Sequence, residues 1–239
     1  MTALGLTWIG DGATFGEDLV FRSSPVVSNG LVYFGTDQGQ VLAFKAAGCG
    51  NSSCQPQWRV KLGQAVYNTP AISGTTLFVG TASSLGRFYA LDASTGAQLW
   101  TSSLSVGESS PKVANGVVYV GSAGSTGGVY TFAANGCGQS TCQPLWVGTT
   151  SSPVDSTPAI AGGFVFVGGE DGYLDVFQAG GCGQATCSPV WRGKTGAPIY
   201  GSSPAVAGGQ VFQPSFDGRL NVFPAAGCGG SVCQPTWKG

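Results

Sequence analysis

The chain alternates short apolar runs with glycine-rich polar turns, and this pattern recurs along its length. A typical unit opens at a Ser-Pro or Thr-Pro dipeptide, passes through a few small residues, turns at a dipeptide such as Asn29-Gly30, and enters an apolar run such as Leu31 to Phe34. Asn-Gly followed by an apolar run is a strong hairpin signal. A third apolar run and a last one with a tryptophan complete the unit. The pattern predicts four antiparallel strands per unit.

Two residue types keep these units in register. The prolines that open the units recur at spacings of 45, 41, 47 and 46 residues, at Pro25, Pro70, Pro111, Pro158 and Pro204. The six tryptophans recur at spacings of 50, 42, 46, 45 and 46, at Trp8, Trp58, Trp100, Trp146, Trp191 and Trp237. Four-stranded units of this length predict the blades of a β-propeller. A helical solenoid has a similar period, but β-branched and aromatic residues dominate the runs and no segment has a 3.6-residue period.

The predicted fold class is all-β, a β-propeller of four-stranded antiparallel blades, in one domain over residues 1–239. Five blades are predicted, at approximately 23–63, 68–104, 109–149, 156–194 and 202–239. Residues 1–22 are expected to form an extra outer strand around Trp8 and a lead-in loop. Two alternatives to a closed five-bladed ring stay open: an arc that assembles with another copy, and a segment of a larger ring of six to eight blades.

Composition narrows the functional classes. Charged residues make up 9% of the chain and the net charge is −1, so we expect no nucleic-acid partner. The longest apolar runs have about five residues, far below the roughly 20 that span a bilayer, so no membrane span is expected. Residues 1–5 lack the basic and apolar regions of a secretory signal, so an exported form is expected to be mature or trimmed.

One unit carries a family motif. Residues 89–100 read Tyr-Ala-Leu-Asp-Ala-Ser-Thr-Gly-Ala-Gln-Leu-Trp. This resembles the repeat motif of the pyrroloquinoline-quinone-like (PQQ-like) propellers, in which Ala-x-Asp-x-x-Thr-Gly precedes a tryptophan. The other four complete units keep the tryptophan and lack the Asp/Thr-Gly turn. The resemblance implies a propeller used by quinoprotein alcohol dehydrogenases, by an outer-membrane assembly lipoprotein and by sensor domains; it implies fold more strongly than activity.

All eight cysteines lie in Cys-x4-Cys pairs where the family turn is missing. Each pair brackets the connection between the third and fourth strands, where two Cβ atoms can face each other at the roughly 4 Å that a disulfide needs. We predict four structural disulfides: Cys49–Cys54, Cys137–Cys142, Cys182–Cys187 and Cys228–Cys233. Metal sites fit less well because each hairpin offers two ligands and the chain has no histidine, and redox centres more typically use Cys-x-x-Cys. Disulfides predict an extracytoplasmic location: secreted, periplasmic or cell-surface.

The sequence contains no recognisable catalytic constellation. Histidine is absent, as are a nucleophile elbow, a phosphate-binding loop and a metal-ligand cluster. The calcium ligands, the catalytic Asp and the adjacent Cys-Cys pair that the resemblance implies for quinoprotein dehydrogenases cannot be mapped onto this chain. We therefore predict no catalytic residue, no metal and no cofactor, and a protein that is not an enzyme.

The loops between strands two and three and between strands four and one are predicted to share the face that carries ligands in propellers. Nine of the eleven acidic residues fall in or beside these loops: Asp11, Glu17, Asp18, Asp37, Glu108, Asp155, Glu170, Asp171 and Asp217. Aromatic residues join them at Phe15, Tyr67 and Tyr200. As ligand-face candidates we take Asp37, Tyr67, Glu170, Asp171, Tyr200 and Asp217. Ordinary turn chemistry is the competing interpretation of the acidic residues.

A hydroxyl-bearing residue stands immediately before each of the five prolines: Ser24, Thr69, Ser110, Thr157 and Ser203. These residues are expected to form a ring around one mouth of the channel. Such a ring can hold water, an ion or a sugar; alternatively, its hydroxyls satisfy backbone groups where the strands begin.

The leading hypothesis is a non-enzymatic, exported propeller that serves as a rigid platform for an unknown protein or glycan. Its alternatives are a non-catalytic fragment or remnant of a PQQ-dependent dehydrogenase and a five-bladed carbohydrate-binding lectin. The unpaired N-terminal strand also offers a route to self-association.

Overall fold

A computed structural model describes residues 9–10, 22–124 and 127–239 of the chain, and all its regular elements are β-strands. The strands are β1 (Ile9–Gly10), β2 (Val26–Ser28), β3 (Leu31–Gly35), β4 (Gln40–Lys45), β5 (Ser53–Cys54), β6 (Trp58–Lys61), β7 (Ala71–Ser73), β8 (Thr76–Gly80), β9 (Phe88–Asp92), β10 (Gln98–Ser102), β11 (Lys112–Ala114), β12 (Val117–Gly121), β13 (Val129–Ala133), β14 (Val147–Gly148), β15 (Ala159–Ala161), β16 (Phe164–Gly168), β17 (Tyr173–Gln178), β18 (Thr186–Cys187), β19 (Trp191–Lys194), β20 (Ala205–Ala207), β21 (Gln210–Pro214), β22 (Leu220–Pro224), β23 (Val232–Cys233) and β24 (Trp237–Lys238).

Five antiparallel sheets account for most of these strands, and we call them blades one to five. They comprise β2, β3, β4 and β6; β7 to β10; β11 to β14; β15, β16, β17 and β19; and β20, β21, β22 and β24. The first two strands of each blade form a tight hairpin. Asn29 and Asn115 have φ angles of 49° and 50°, and glycine follows each of them with φ 75°, as an Asn-Gly turn with two left-handed residues requires. The predicted all-β fold of four-stranded units is confirmed.

The outer strand of one blade pairs in parallel with the cystine hairpin of the next. Val147 lies opposite Thr186, Arg192 opposite Val232, and a single bridge joins Thr101 to Thr141. The described part of the extra N-terminal strand behaves in the same way, because Ile9 of β1 lies opposite Ser53 of β5. Strand β1 therefore occupies, on blade one, the place that the outer strand of the preceding blade occupies on blades three, four and five. Trp8 itself lies outside the described residues.

The core consists of apolar layers between consecutive blades. Separate buried clusters join blades one and two, two and three, three and four, and four and five. Leu42, Phe44 and Cys54 form a smaller cluster on the other side of blade one. Within the described residues no cluster combines blade five with blade one, so closure of a five-bladed ring stays a prediction.

Each of the first four blade tryptophans lies against a glycine of the following blade. A Cβ atom built on Gly96, Gly136, Gly181 or Gly227 would come within 2.6 to 3.0 Å of the ring of Trp58, Trp100, Trp146 or Trp191, respectively. All four glycines have positive φ, from 75° to 85°. The turn between the third and fourth strands thus needs glycine both for its backbone conformation and for the approach of the indole.

Two kinds of turn place this glycine. In blades one, three, four and five, the predicted disulfides are present, with Cα–Cα distances of 5.7 or 5.8 Å. In blade two, Asp92 Oδ1 instead accepts hydrogen bonds from the backbone N–H and the hydroxyl of both Ser94 and Thr95. These bonds, above all those from the Ser94 and Thr95 side chains, lower the pKa of Asp92. The four predicted disulfides are confirmed, and each lies at the place that the hydrogen-bonded turn of Asp92 occupies in blade two.

We expect the four bridges to resist alkylation and to contribute modestly to stability. Each bridge joins residues separated by five positions, and so short a loop removes less unfolded-state entropy than a 15-residue loop, for which about 3 kcal/mol is expected. Replacing Cys137 and Cys142 together with serine should therefore lower the unfolding free energy in urea by less than about 3 kcal/mol. Mass spectrometry after alkylation should find eight modified cysteines only when the protein is reduced first; eight in the untreated native protein would contradict the bridges.

Candidate binding face at the channel mouth

The loops between strands two and three and between strands four and one lie on the same face. Backbone hydrogen bonds link them: Ala82 donates to Ala65, Ala123 to Ser105, and Phe216 to Pro198. Each of these bonds joins the loop that precedes a blade to the loop between that blade's second and third strands. The predicted sharing of one face by these loops is therefore present in the structure.

The first strands of the blades surround a cavity of about 720 Å³. Its walls contain the Pro residue that opens each blade and, on strands β2, β7, β11 and β15, small or branched apolar residues such as Ile72 and Ile160. Lys112 is the one charged side chain among the lining residues. This is the channel that the position of the prolines predicts.

The hydroxyl-bearing residues before the prolines form a ladder between blades. The backbone N–H of each donates to the hydroxyl of its counterpart in the next blade: Ser24 to Thr69 at 3.2 Å, Thr69 to Ser110 at 2.9 Å, Ser110 to Thr157 at 3.2 Å, and Thr157 to Ser203 at 3.0 Å. Among the described residues no such bond continues from Ser203 to Ser24. The hydroxyls therefore satisfy backbone donors, which is the second of the two roles predicted for them.

The channel does not fit the quinone and calcium ion that the family resemblance implies for dehydrogenases. Calcium takes several carboxylate or carbonyl oxygen ligands, and no carboxylate lines the cavity in the described part of the chain. The described residues also contain no group of three or more Asp, Glu, Cys or His placed to hold a metal ion. The donor set therefore argues against a quinoprotein site here.

Above the channel, charged side chains meet around Arg22. Its guanidinium lies 3.5 Å from Asp37 and 3.8 Å from Glu108, and its Cζ atom is 4.7 Å from the centre of the Tyr67 ring. Arg22 thus contacts two of the predicted ligand-face residues, Asp37 and Tyr67. Arg22 and Glu108 are each more than half exposed, so the cluster is open to solvent.

A pair of carboxyl groups continues this cluster. Asp155 accepts a hydrogen bond from the backbone N–H of Glu108 at 3.3 Å. Burial, followed by a hydrogen bond and the charge of Asp155, raises the pKa of the Glu170 carboxyl. Asp37 and Glu108 therefore contact Arg22, and Asp155 and Glu170 extend this group of carboxyl groups beyond Glu108.

Two exposed aromatic residues stand on the same face. Tyr200 and Phe216 pack edge to face with ring centres 5.0 Å apart, yet they remain 44% and 69% exposed. Tyr200 is next to Gly201, where an added Cβ would lie 3.5 Å from Glu108. The aromatic pair therefore borders the acidic mouth. Tyr200 is one of the predicted ligand-face residues, and Phe216 is not among them.

The other two candidates are held within their own blades. Asp171 accepts a hydrogen bond from the Tyr173 backbone N–H at 3.3 Å and contacts Arg192 Nη2 at 2.7 Å. Asp217 accepts hydrogen bonds from the Ser215 hydroxyl and the Arg219 backbone N–H, and the Ser215 bond is the main reason why its pKa is lowered. Both carboxylates thus stabilise turns, as the competing interpretation of the acidic residues predicts. Other candidates lie outside the described residues: Asp11, Phe15, Glu17 and Asp18.

A buried ion pair in blade four was missed by sequence reasoning. Asp175 is fully buried and lies directly opposite Arg192, whose Nε contacts its carboxylate. The Arg192 guanidinium also stacks 4.0 Å from the centre of the Tyr173 ring. Burial raises the pKa of Asp175 to about 6 because lost hydration outweighs the attraction of Arg192. Burial lowers the pKa of Arg192, but the bonds and charges of Asp175 and Asp171 outweigh it, so the pKa is raised.

Comparison with known proteins supports the repeat family. Residues 50–137 match the family described as "Outer membrane protein assembly factor BamB". No curated protein matches the chain. Among solved structures, BamB from Moraxella catarrhalis is 19% identical with a TM-score of 0.69, over 92% of this chain and 62% of that one. A quinohemoprotein alcohol dehydrogenase from Pseudomonas putida HK5 is 16% identical with a TM-score of 0.64, over 88% of this chain and 41% of that one.

A third structural match is the C-terminal WD40 domain of Sif2, which is 11% identical with a TM-score of 0.65, over 85% of this chain and 55% of that one. The chain thus spans less than two thirds of each of these neighbours. At these identities the structural matches establish the fold alone.

The described residues contain no helix of the length and apolarity that a membrane crossing requires.

Proposed function

Because the chain is built from PQQ-like β-propeller repeats, we propose that it is a non-enzymatic, extracytoplasmic platform that binds a protein partner at the channel mouth. The matched family description names an assembly factor of outer membrane proteins, which supports a protein partner. The four disulfides support a location in an oxidising compartment.

The exposed Tyr200–Phe216 pair carries this proposal. Aromatic residues that stay exposed beside polar groups are typical of binding hot spots, since they supply a large apolar contact with little entropic cost. The neighbouring carboxylates of Glu108, Asp155 and Glu170 favour basic groups on the partner. The partner segment is therefore expected to combine an aliphatic or aromatic anchor with lysine or arginine.

A displayed library of random peptides tests the proposal. The chain should select peptides with an apolar anchor next to Lys or Arg. The Tyr200→Ala/Phe216→Ala variant should lose at least about 30-fold in affinity, which corresponds to about 2 kcal/mol, the threshold of a hot spot. Leu85→Ala is the matched control, because Leu85 is 78% exposed in a loop of the same face without an aromatic partner. Equal affinities of the wild type and the double variant for the selected peptides would show that the peptides bind at another surface.

Two further assays separate the alternatives. A glycan array that binds the chain and fails to bind the Tyr200→Ala/Phe216→Ala variant would favour the lectin. Dye reduction after addition of PQQ and calcium would favour a functional relation to the dehydrogenases. We expect neither signal.

A further inference from the structure

A small crevice lies between blades three and four. Its volume is about 300 Å³, at the lower end of the range of about 300–1,000 Å³ that is usual for small-molecule sites. It is lined by residues 149–151, which leave blade three, and by Ser188 and Pro189, which follow the cystine of blade four. Asp175 and Arg192 complete the lining. The buried ion pair of blade four therefore borders a space of the size of a small ligand.

The other blades that contain a cystine differ from blade four at the positions of this crevice. Where blade four has Ser188 after its second cysteine, the other three have glutamine, at Gln55, Gln143 and Gln234. The cross-strand pair of Asp175 and Arg192 corresponds to Leu42 with Arg59, Tyr130 with Val147, and Asn221 with Lys238. Of these four blades, blade four alone combines a short side chain after the cystine with a carboxylate and a guanidinium.

Two carboxylates hold the guanidinium of Arg192 and leave one of its nitrogen atoms uncommitted. Nε contacts Asp175, and Nη2 donates to Asp171 at 2.7 Å and to Asp175 at 3.4 Å. Within the part of the chain that the structure describes, Nη1 makes no hydrogen bond. The Arg192 side chain is 23% exposed, so a ligand can reach it, whereas Asp175 is fully buried. Asp175 therefore positions Arg192, and Arg192 offers the donor.

Four hydroxyl groups line the same crevice. Thr149 donates to the Cys187 carbonyl at 3.2 Å and Thr150 to the Ser152 carbonyl at 2.7 Å, so both oxygen atoms can still accept. The hydroxyls of Ser151 and Ser188 bond to none of the described residues, so they can donate or accept. The crevice thus offers several donors and acceptors close to one another.

These groups fit a neutral ligand that has several hydroxyls. Asp171 and Asp175 place two carboxylates beside the one positive charge of Arg192, which disfavours an anion. Each hydroxyl of a pyranose ring accepts from an N–H and donates to an oxygen, and the C–H face of the ring can pack on Pro189. We propose that the crevice binds a monosaccharide unit, with Arg192 Nη1 and the hydroxyls of Ser151 and Ser188 bonded to adjacent sugar hydroxyls.

Saturation-transfer NMR with methyl α-D-glucopyranoside and methyl α-D-mannopyranoside tests the proposal. The wild type should bind at least one of them with a Kd on the order of 1 mM, which is ordinary for so small a ligand. Ser188→Gln introduces the residue of the other three cystine blades at an exposed position, so the variant should fold. It should weaken binding at least about fivefold, because a longer side chain narrows the crevice and the Ser188 hydroxyl is lost.

Gln143→Ser is the matched control. It makes the reverse exchange in blade three, where Tyr130 and Val147 replace the ion pair, and should leave the affinity unchanged. Equal affinities of the wild type and Ser188→Gln would overturn the proposal. So would the absence of binding by the wild type at sugar concentrations about tenfold above the expected Kd.

Two further measurements establish where and what the crevice binds. The crevice shares no residue with the Tyr200–Phe216 pair, so sugar binding should persist in the Tyr200→Ala/Phe216→Ala variant whether or not the channel mouth binds a protein. Loss of sugar binding in that variant would place the sugar at the mouth and overturn the proposal. Acetate and sulfate should not compete with the sugar; competition by either anion that Ser188→Gln abolishes would show an anion site instead.

Discussion

Replacing Arg192 with methionine should lower the unfolding free energy by about 3–5 kcal/mol at pH 8, which is the cost of leaving a buried charge without its partner. The Asp175 carboxylate is fully buried, and among the described side chains it is Arg192 that contacts it. Methionine keeps much of the apolar stem of arginine, so the loss reports mainly on charge. Urea unfolding of the wild type and the variant measures it.

The unfolding free energy that Arg192→Met loses should depend on pH, in a direction set by the pKa of Asp175. Burial raises the pKa of Asp175 to about 6, above the ordinary value of 3.8, so the folded protein holds a proton that the unfolded chain releases between these values. The contribution of Asp175 to stability is therefore fully present below about pH 4 and is lost as the pH rises through about 6. Without Arg192 the folded pKa rises further. The destabilisation of Arg192→Met should accordingly be smaller at pH 5 than at pH 8.

Two matched variants separate charge pairing from general packing. Adding Asp175→Asn to Arg192→Met removes the orphaned charge and should recover part of the loss, together with its pH dependence. Arg59→Met is the positional control, because Arg59 holds the strand position of Arg192 in blade one and is exposed. It should change stability by less than about 1 kcal/mol. A loss for Arg192→Met that is equal at pH 5 and pH 8 would contradict the role of Asp175.

The elements that the sequence predicted well are those with a local cause. Asn29-Gly30 favours a tight turn with two left-handed residues, and Cys182 and Cys187 are only five positions apart in the chain. The repeated tryptophan likewise marks a repeated packing site. The turn and the disulfide depend on neighbours in the sequence, and the tryptophan recurs with the repeat, so one sequence is enough to predict them.

The features that were missed depend on contacts between distant residues. Asp175 occupies a strand position held by Leu42, Tyr89, Tyr130 and Asn221 in the other blades, and nothing local indicates that Arg192 will face it. The convergence of Arg22, Asp37 and Glu108 likewise joins three different loops. Ring closure is harder still, because each blade-to-blade interface is built in the same way in an arc and in a ring.

The tryptophan positions offer an internal comparison of stability. Trp191→Ala should lower the unfolding free energy by about 3–5 kcal/mol, because it removes a large side chain that is 4% exposed and packs against Phe166 and Phe223. Its indole N–H is buried without a hydrogen-bond partner among the described residues. The variant therefore loses packing contacts and no side-chain hydrogen bond. Chemical unfolding followed by circular dichroism provides the measurement.

Trp237→Ala makes the same chemical change at the equivalent position of blade five. Trp237 is 47% exposed and has no described blade beyond it, so the loss should be about 1 kcal/mol or less. The difference between the two variants therefore measures what a following blade contributes to its tryptophan. Equal losses for the two variants in the 239-residue chain would mean that Trp237 is already covered in solution.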